Sequence, residues 1–291
     1  MPYFKRTDIH ILWKGCCIAI PLRDTKFLHS SLTPPREFLF GKYRCDMYSL
    51  PMKYAACLIV AACLLLPGMI HAQTQYAGWV ADFNTIKTGK HTSIHSDIQL
   101  RSSDEVAHVQ TLLLRAGLNY HAGKKFIVTA GYAFVDNRRT TSGVSGYIPE
   151  HRIWEQLIFN HRKGPVAISH RLRIEQRFVG TAVVQGNQLG REGHFTAHRV
   201  RYFIRNIIPF HKTETFKKGP FAAIQDEVFL NYGNKANLNG KTFDQNRLYL
   251  AAGYRLAPSF DIELGYMNQY IRGRTGRTNN HIAQVAVYVR R

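Results

Sequence analysis

The sequence predicts an all-β protein, an antiparallel transmembrane β-barrel, and three observations predict it. Met52–Ala72 is laid out like a secretory signal. No cysteine follows that segment. From Gln73 onward, apolar and polar side chains alternate with a period of two, in one segment after another.

In the first of these, Lys53 supplies a short positive region and Ala55–Leu66 is an unbroken run of twelve apolar residues. Pro67 and Gly68 then break any helix, and Ile70-His71-Ala72 ends in a small residue ahead of Gln73. This is the order of parts in a signal peptide. The apolar run is short for a spanning helix, which needs roughly 20 residues. A retained inner-membrane anchor and a buried helix remain as other readings of the stretch. Val60-Ala61-Ala62-Cys63 can also be read as a lipoprotein cleavage site, although Leu64–Leu66 would leave an apolar start where a polar tether is usual. The expected organisation is an over-extended N-terminus without a domain over 1–51, a signal peptide over 52–72 and a barrel over 73–291. Met52, or else Met47, is then the true start.

Cys16, Cys17, Cys45, Cys57 and Cys63 all precede Ala72. A chain working in an oxidising compartment pairs its thiols or lacks them, and the exported part lacks them.

The alternation defines the elements in turn. The first strand is expected near Trp79–Phe83. In His91–Arg101, Thr92, Ile94, Ile98 and Leu100 oppose His95, Asp97 and Gln99. Leu112, Leu114, Ala116, Leu118 and Tyr120 share one face, as do Phe126, Val128, Ala130, Tyr132 and Phe134. A further strand is expected in Ile153–Phe159. Leu172, Ile174 and Phe178 oppose Arg171, Arg173, Glu175 and Arg177, and Val200, Tyr202 and Ile204 oppose Arg199, Arg201 and Arg205. Val228, Leu230 and Tyr232 oppose Glu227 and Asn231, and Leu248, Leu250 and Tyr254 oppose Arg247, Tyr249 and Arg255. Ile262, Leu264 and Tyr266 oppose Asp261, Glu263 and Gln269, and Val285, Val287 and Val289 oppose Gln284, Ala286 and Tyr288. Each pattern is a strand with one apolar and one polar face.

Eleven strands are detectable in this way. Single-chain bacterial outer-membrane barrels have even strand numbers, so twelve are expected, with ten as the second choice. Pro149, Pro165, Pro209, Pro220 and Pro258 are expected between strands, where a missing N–H breaks no ladder. Asp136–Glu150, Gly186–Gly193, Gly233–Lys241 and Arg272–Asn279 read as the longer polar loops.

The exported part holds thirty Lys plus Arg against fifteen Asp plus Glu, and much of the arginine lies on polar strand faces. If those faces line a narrow lumen, Arg171, Arg173, Arg177, Arg199, Arg201 and Arg247 meet Glu175, Glu227 and Glu263 across neighbouring strands. Confined charges must be paired, hydrogen-bonded or hydrated. The expectation is therefore a charge network filling the lumen, with an anion-selecting lining as the functional alternative. Arginines spread over alternating positions, behind an export signal, exclude a nucleic-acid partner.

The residues resemble domain-of-unknown-function family 2490, Gram-negative outer-membrane β-barrel proteins. The resemblance rests on Trp79, on His170–Phe178 (HRLRIEQRF), on Arg199-Val200-Arg201-Tyr202 and on Asp226–Asn231 (DEVFLN). It continues through Phe243–Tyr249 (FDQNRLY) and Glu263–Gln269 (ELGYMNQ), and spans about Thr74 to Val289. It implies an integral outer-membrane barrel and no catalytic assignment. The implied partners are outer-membrane lipids, lipopolysaccharide and the barrel assembly machinery. Many such barrels end in an aromatic residue, whereas this chain ends Tyr288-Val289-Arg290-Arg291. Either Tyr288 carries the assembly signal or the basic end weakens it.

The enzymatic alternative is a lipid-modifying hydrolase, which needs a serine, a histidine base within roughly 2.6–3.2 Å and an orienting group. Ser93, His95 and Asp97 share one strand face and are the candidates. They are expected to point into the lumen, away from lipid, so the expected role is structural or binding. No metal site is expected, because His194 and His198 on one strand lie about 13 Å apart at roughly 3.3 Å per residue. No cofactor is expected either, as no glycine-rich phosphate loop occurs.

Overall fold

A computed structural model describes residues 73–103, 105–211 and 215–291. The signal-like segment, the N-terminal extension and all five cysteines lie outside the described residues.

Eleven strands close into one barrel, each paired with the next in sequence. They are β1 (Gln73–Lys87), β2 (Thr92–Ser103), β3 (His108–Ala122), β4 (Phe126–Thr141) and β5 (Val144–Lys163). After these come β6 (Val166–Gln185), β7 (Gln188–Pro209), β8 (Gly219–Tyr232), β9 (Phe243–Ala257), β10 (Phe260–Arg272) and β11 (Arg277–Arg290). Among the described residues there is no twelfth strand. Ten antiparallel pairs leave the first and last strands pointing the same way, and the barrel closes through a parallel β1–β11 pair running from Gln73↔Thr278 to Thr85↔Arg290. A parallel seam closes an odd-numbered sheet, so the evenness rule does not bind this chain.

One end, called the upper end here, carries Gln73 and the β2–β3, β4–β5, β6–β7, β8–β9 and β10–β11 connections. The lower end carries the remaining connections and the C-terminal end of β11. Two of the expected loops are strand instead. β4 and β5 stay paired up to Thr141↔Val144, and β6 and β7 up to Gln185↔Gln188, so both hairpins rise past the upper rim on tight turns. Gly143 and Gly186 occupy positive φ in these turns, at 83° and 60°, where a β-carbon is disfavoured.

Three prolines also lie in strands. Pro209 ends β7 and Pro220 is the second residue of β8. Pro149 sits in β5 one residue above Glu150↔Val179, the uppermost β5–β6 pair, so the strand has an unpaired edge there. In all three places a ladder N–H is dispensable.

The molecule is inside-out relative to a soluble barrel. Leu264 is 64% exposed and Leu118 58% exposed, while Arg173 is 0% and Glu175 1% exposed. Alternation produces this directly, with each strand sending its branched apolar and tyrosine side chains outward and its charges inward.

Inward glycines make room for large rings. Trp154 on β5 lies over Gly117 and Gly131, a directly paired couple on β3 and β4. Phe221 lies over Gly253, its direct partner on β9.

Candidate functional site

The candidate site is the barrel interior, and the register of five neighbouring strands builds it. On β6 and β7, Arg173 pairs opposite Arg201, and Glu175 opposite Arg199. On β8 and β9, Glu227 pairs opposite Arg247. Arg199 meets Glu175 directly across, whereas Arg201, opposite the like charge of Arg173, reaches diagonally to Glu175 and Glu227.

Glu175 accepts from Arg199 Nη2 and Arg201 Nη1, both at 2.7 Å, with Arg173 Nη1 at 3.9 Å. Glu227 accepts from Arg171 Nη2 at 2.8 Å and from a two-point Arg201 fork at 3.0 and 2.9 Å. Arg205 donates to Glu263. Arg177 and Arg152 both hold Glu150, each through Nε at 2.6 Å. Two-point guanidinium–carboxylate contacts are among the stronger charge-assisted hydrogen bonds.

Aromatic rings form the floor beneath these cations. Phe229 lies under Arg199, Arg201 and Arg247, at 5.0, 4.4 and 4.7 Å from guanidinium carbon to ring centroid. Trp154 lies under Arg173 at 4.5 Å and Phe203 under Arg171 at 4.1 Å. Each such contact contributes about 0.5–2 kcal/mol, more when desolvated.

The structure thus brings Arg171, Arg173, Glu175, Arg199, Arg201 and Glu227 into one cluster. Arg177 belongs to a separate group with Glu150, and Glu263 to one with Arg205. Arg247 stands apart, donating to Gln245 Oε1 at 3.3 Å and lying over rings without an ion pair among the described residues.

Ser93, His95 and Asp97 all face inward but do not line up. Ser93 Oγ lies 2.9 Å from His121 Nε2 and accepts from Asn119 Nδ2 at 3.0 Å. His95 Nε2 instead meets Asp97 Oδ2 at 3.2 Å, and Asp97 also pairs with Arg115 at 3.2 Å. Asp97 is a member of the ionic network. Among the described residues no three His, Cys, Asp or Glu side chains are grouped so as to hold a metal ion.

Several network members escaped the sequence reading. Glu150 falls in the stretch that reads as a loop, and Arg152 just ahead of the strand expected in Ile153–Phe159. Asp244 sits at a register shift in which Phe229 pairs with Gln245 and Leu230 with Phe243. Alternation would point Asp244 outward, whereas the bulge lets it reach Arg199 at 3.2 Å, as bulges re-aim side chains. Arg115 could have been found, since it falls between outward Leu114 and Ala116.

Three cavities interrupt the packing, of about 450, 200 and 310 Å³, and Arg101 lines all of them. The largest lies at the upper end, where Gln75, Gln110 and Thr140 line it.

These features define a closed β-barrel with a charged, aromatic-floored interior and an apolar exterior. Over residues 77–280 the chain matches the family described as protein of unknown function (DUF2490), and it belongs to that family. No curated protein matches it.

Proposed function

We propose that this chain is an integral outer-membrane barrel, exported by the signal at 52–72, whose interior is closed at mid-height and serves a structural or binding role. The inversion of polarity carries this reading. A bilayer solvates the outward Leu, Ile, Val and Tyr side chains, while each strand is hydrogen-bonded to a neighbour on both sides in the closed sheet.

Aromatic and histidine side chains form two outward bands that support it. Towards the upper end, Tyr76 stacks on His281 at 5.4 Å, and Tyr132 Oη meets His151 Nδ1 at 2.5 Å. Towards the lower end, Phe126 packs on Phe159 at 4.9 Å, and His161 stacks on His170 at 5.2 Å. Girdles of this kind mark the two interfaces of membrane barrels. Two outward polar pairs lie between the bands, Gln176 Nε2 donating to Glu155 Oε2 at 3.2 Å and Asn246 Nδ2 to Asp226 Oδ1 at 2.8 Å. In this orientation the upper end, with its tall hairpins, faces the cell exterior, and lipopolysaccharide and the assembly machinery are the expected partners.

The test is fractionation of cells expressing the full chain. The protein should sediment with outer membranes, need detergent for release, and begin at Gln73 by mass spectrometry. Recovery as a soluble periplasmic protein would overturn the reading. A second reading, a small anion-selective pore, is favoured by the arginine lining of the cavities. Planar-bilayer recording separates the two, with silence expected for the closed barrel and steady anion-selective openings for the pore.

A further inference from the structure

The geometry points to a binding site for an anionic sugar, a phosphorylated or carboxylated carbohydrate, whose acid group sits on Arg101 and Arg247 and whose hydroxyls occupy the upper cavity. Arg101 and Arg247 lie over the same ring, Trp79, at 4.3 and 5.0 Å. Neither forms an ion pair among the described residues, although most of the interior arginines around them do. Among the described residues Arg101 donates only to Gln99 and Arg247 only to Gln245, and the Nε of each is buried without a partner. Glu227 stands across from Arg247 but bonds to Arg171 and Arg201 instead, so among the described residues two confined cations keep free donors, an incomplete site, since a buried charge needs a partner.

The missing group is an oxyanion, because guanidinium forks match phosphate and carboxylate in shape. The neighbouring cavity says what is attached to it. At about 450 Å³ it has the volume of a small-molecule pocket. Its polar lining is largely neutral amides and hydroxyls, among them Gln75, Ser102, Gln110, Gln269 and Asn280, with two cations, Arg101 and Arg138. Asn280 Oδ1 is buried there without a donor. Such a lining suits a molecule rich in hydroxyls, and it would suit an acyl chain poorly.

This inference rests on the reading of the barrel as a binding compartment. Calorimetric titration of the detergent-solubilised full barrel, at fixed ionic strength, would use glucose 6-phosphate, glucuronate, inorganic phosphate and glucose as probes. One or both anionic sugars should bind saturably, at least about tenfold more tightly than phosphate or glucose alone. Preference between the two assigns the acid group as phosphate or carboxylate. Arg101→Gln and Arg247→Gln should each weaken binding about tenfold or more. Each should shift the ligand-free unfolding midpoint only modestly, because loss of the ring contact with Trp79 is offset by removal of a buried cation that bonds to no carboxylate. Should either fail to insert, Arg247→Lys keeps the charge, loses the fork and should still weaken binding. Heats that are equal for all probes, or unchanged in the variants, would overturn the site. Heat-modifiable migration in electrophoresis on the same samples reports insertion separately, so a barrel that inserts and binds nothing overturns the site and spares the membrane reading.

Discussion

Arg201 and Glu227 form a two-point fork across β7 and β8, Nε to Oε1 at 3.0 Å and Nη2 to Oε2 at 2.9 Å. Glu227 also holds Arg171, and Arg201 also holds Glu175, so this pair joins the two halves of the central cluster.

Glu227→Ala should therefore cost about 3–5 kcal/mol, because it leaves Arg171 without its carboxylate and Arg201 with half of its own. Chemical denaturation of the detergent-solubilised barrel, followed by tryptophan emission, measures it. An unchanged midpoint would show that the glutamate is solvated rather than structural.

Asp244→Ala should cost far less, about 0–1 kcal/mol. Its side chain is 20% exposed, and Arg199 keeps Glu175 at 2.7 Å when Asp244 is lost. The same denaturation series compares the two carboxylates, and equal losses would contradict the ranking by burial.

Where Arg173, Glu175 and Arg201 point was legible in the sequence, because facing in a strand depends only on odd or even position. What they touch was not, since cross-strand partners depend on register. The strand total also lay beyond local pattern. Parallel closure of β1 on β11 is a property of the whole sheet, and each strand looks the same whether ten, eleven or twelve close. Asp244 shows the limit of parity itself, because one bulge reverses the facing that alternation assigns. For Ser93, His95 and Asp97 the sequence shows a shared face but not the partners. Ser93 pairs directly with Asn119 across β2 and β3 and bonds to Asn119 and His121, while His95 meets Asp97 two residues along its own strand.

Phe221 and Gly253 should be energetically coupled. A β-carbon at Gly253 would overlap the tip of the Phe221 ring, which is fully buried. Gly253→Ala should cost about 1–3 kcal/mol from overpacking. In a Phe221→Ala background the same change should be nearly neutral, giving a coupling energy of about 1–3 kcal/mol in a double-mutant cycle. Additive losses would show that backbone strain, and not the ring, limits the site.

Phospholipid hydrolysis is the last test, and the side-chain geometry sets its expected outcome. A serine hydrolase needs its histidine oriented by a third group. His121, the histidine on Ser93, has no carboxylate contact among the described residues, while the carboxylate Asp97 is engaged by His95 and Arg115. Ser93 is moreover 2% exposed, facing inward, away from the apolar surface where an acyl ester would lie. Purified barrel in mixed micelles should therefore release fatty acid from phospholipid or lipid A at the background rate, with or without calcium, and Ser93→Ala should leave that rate unchanged. Turnover above background that disappears in Ser93→Ala or His121→Ala would make the interior pair a nucleophile and base, and would require a path for lipid through the barrel wall.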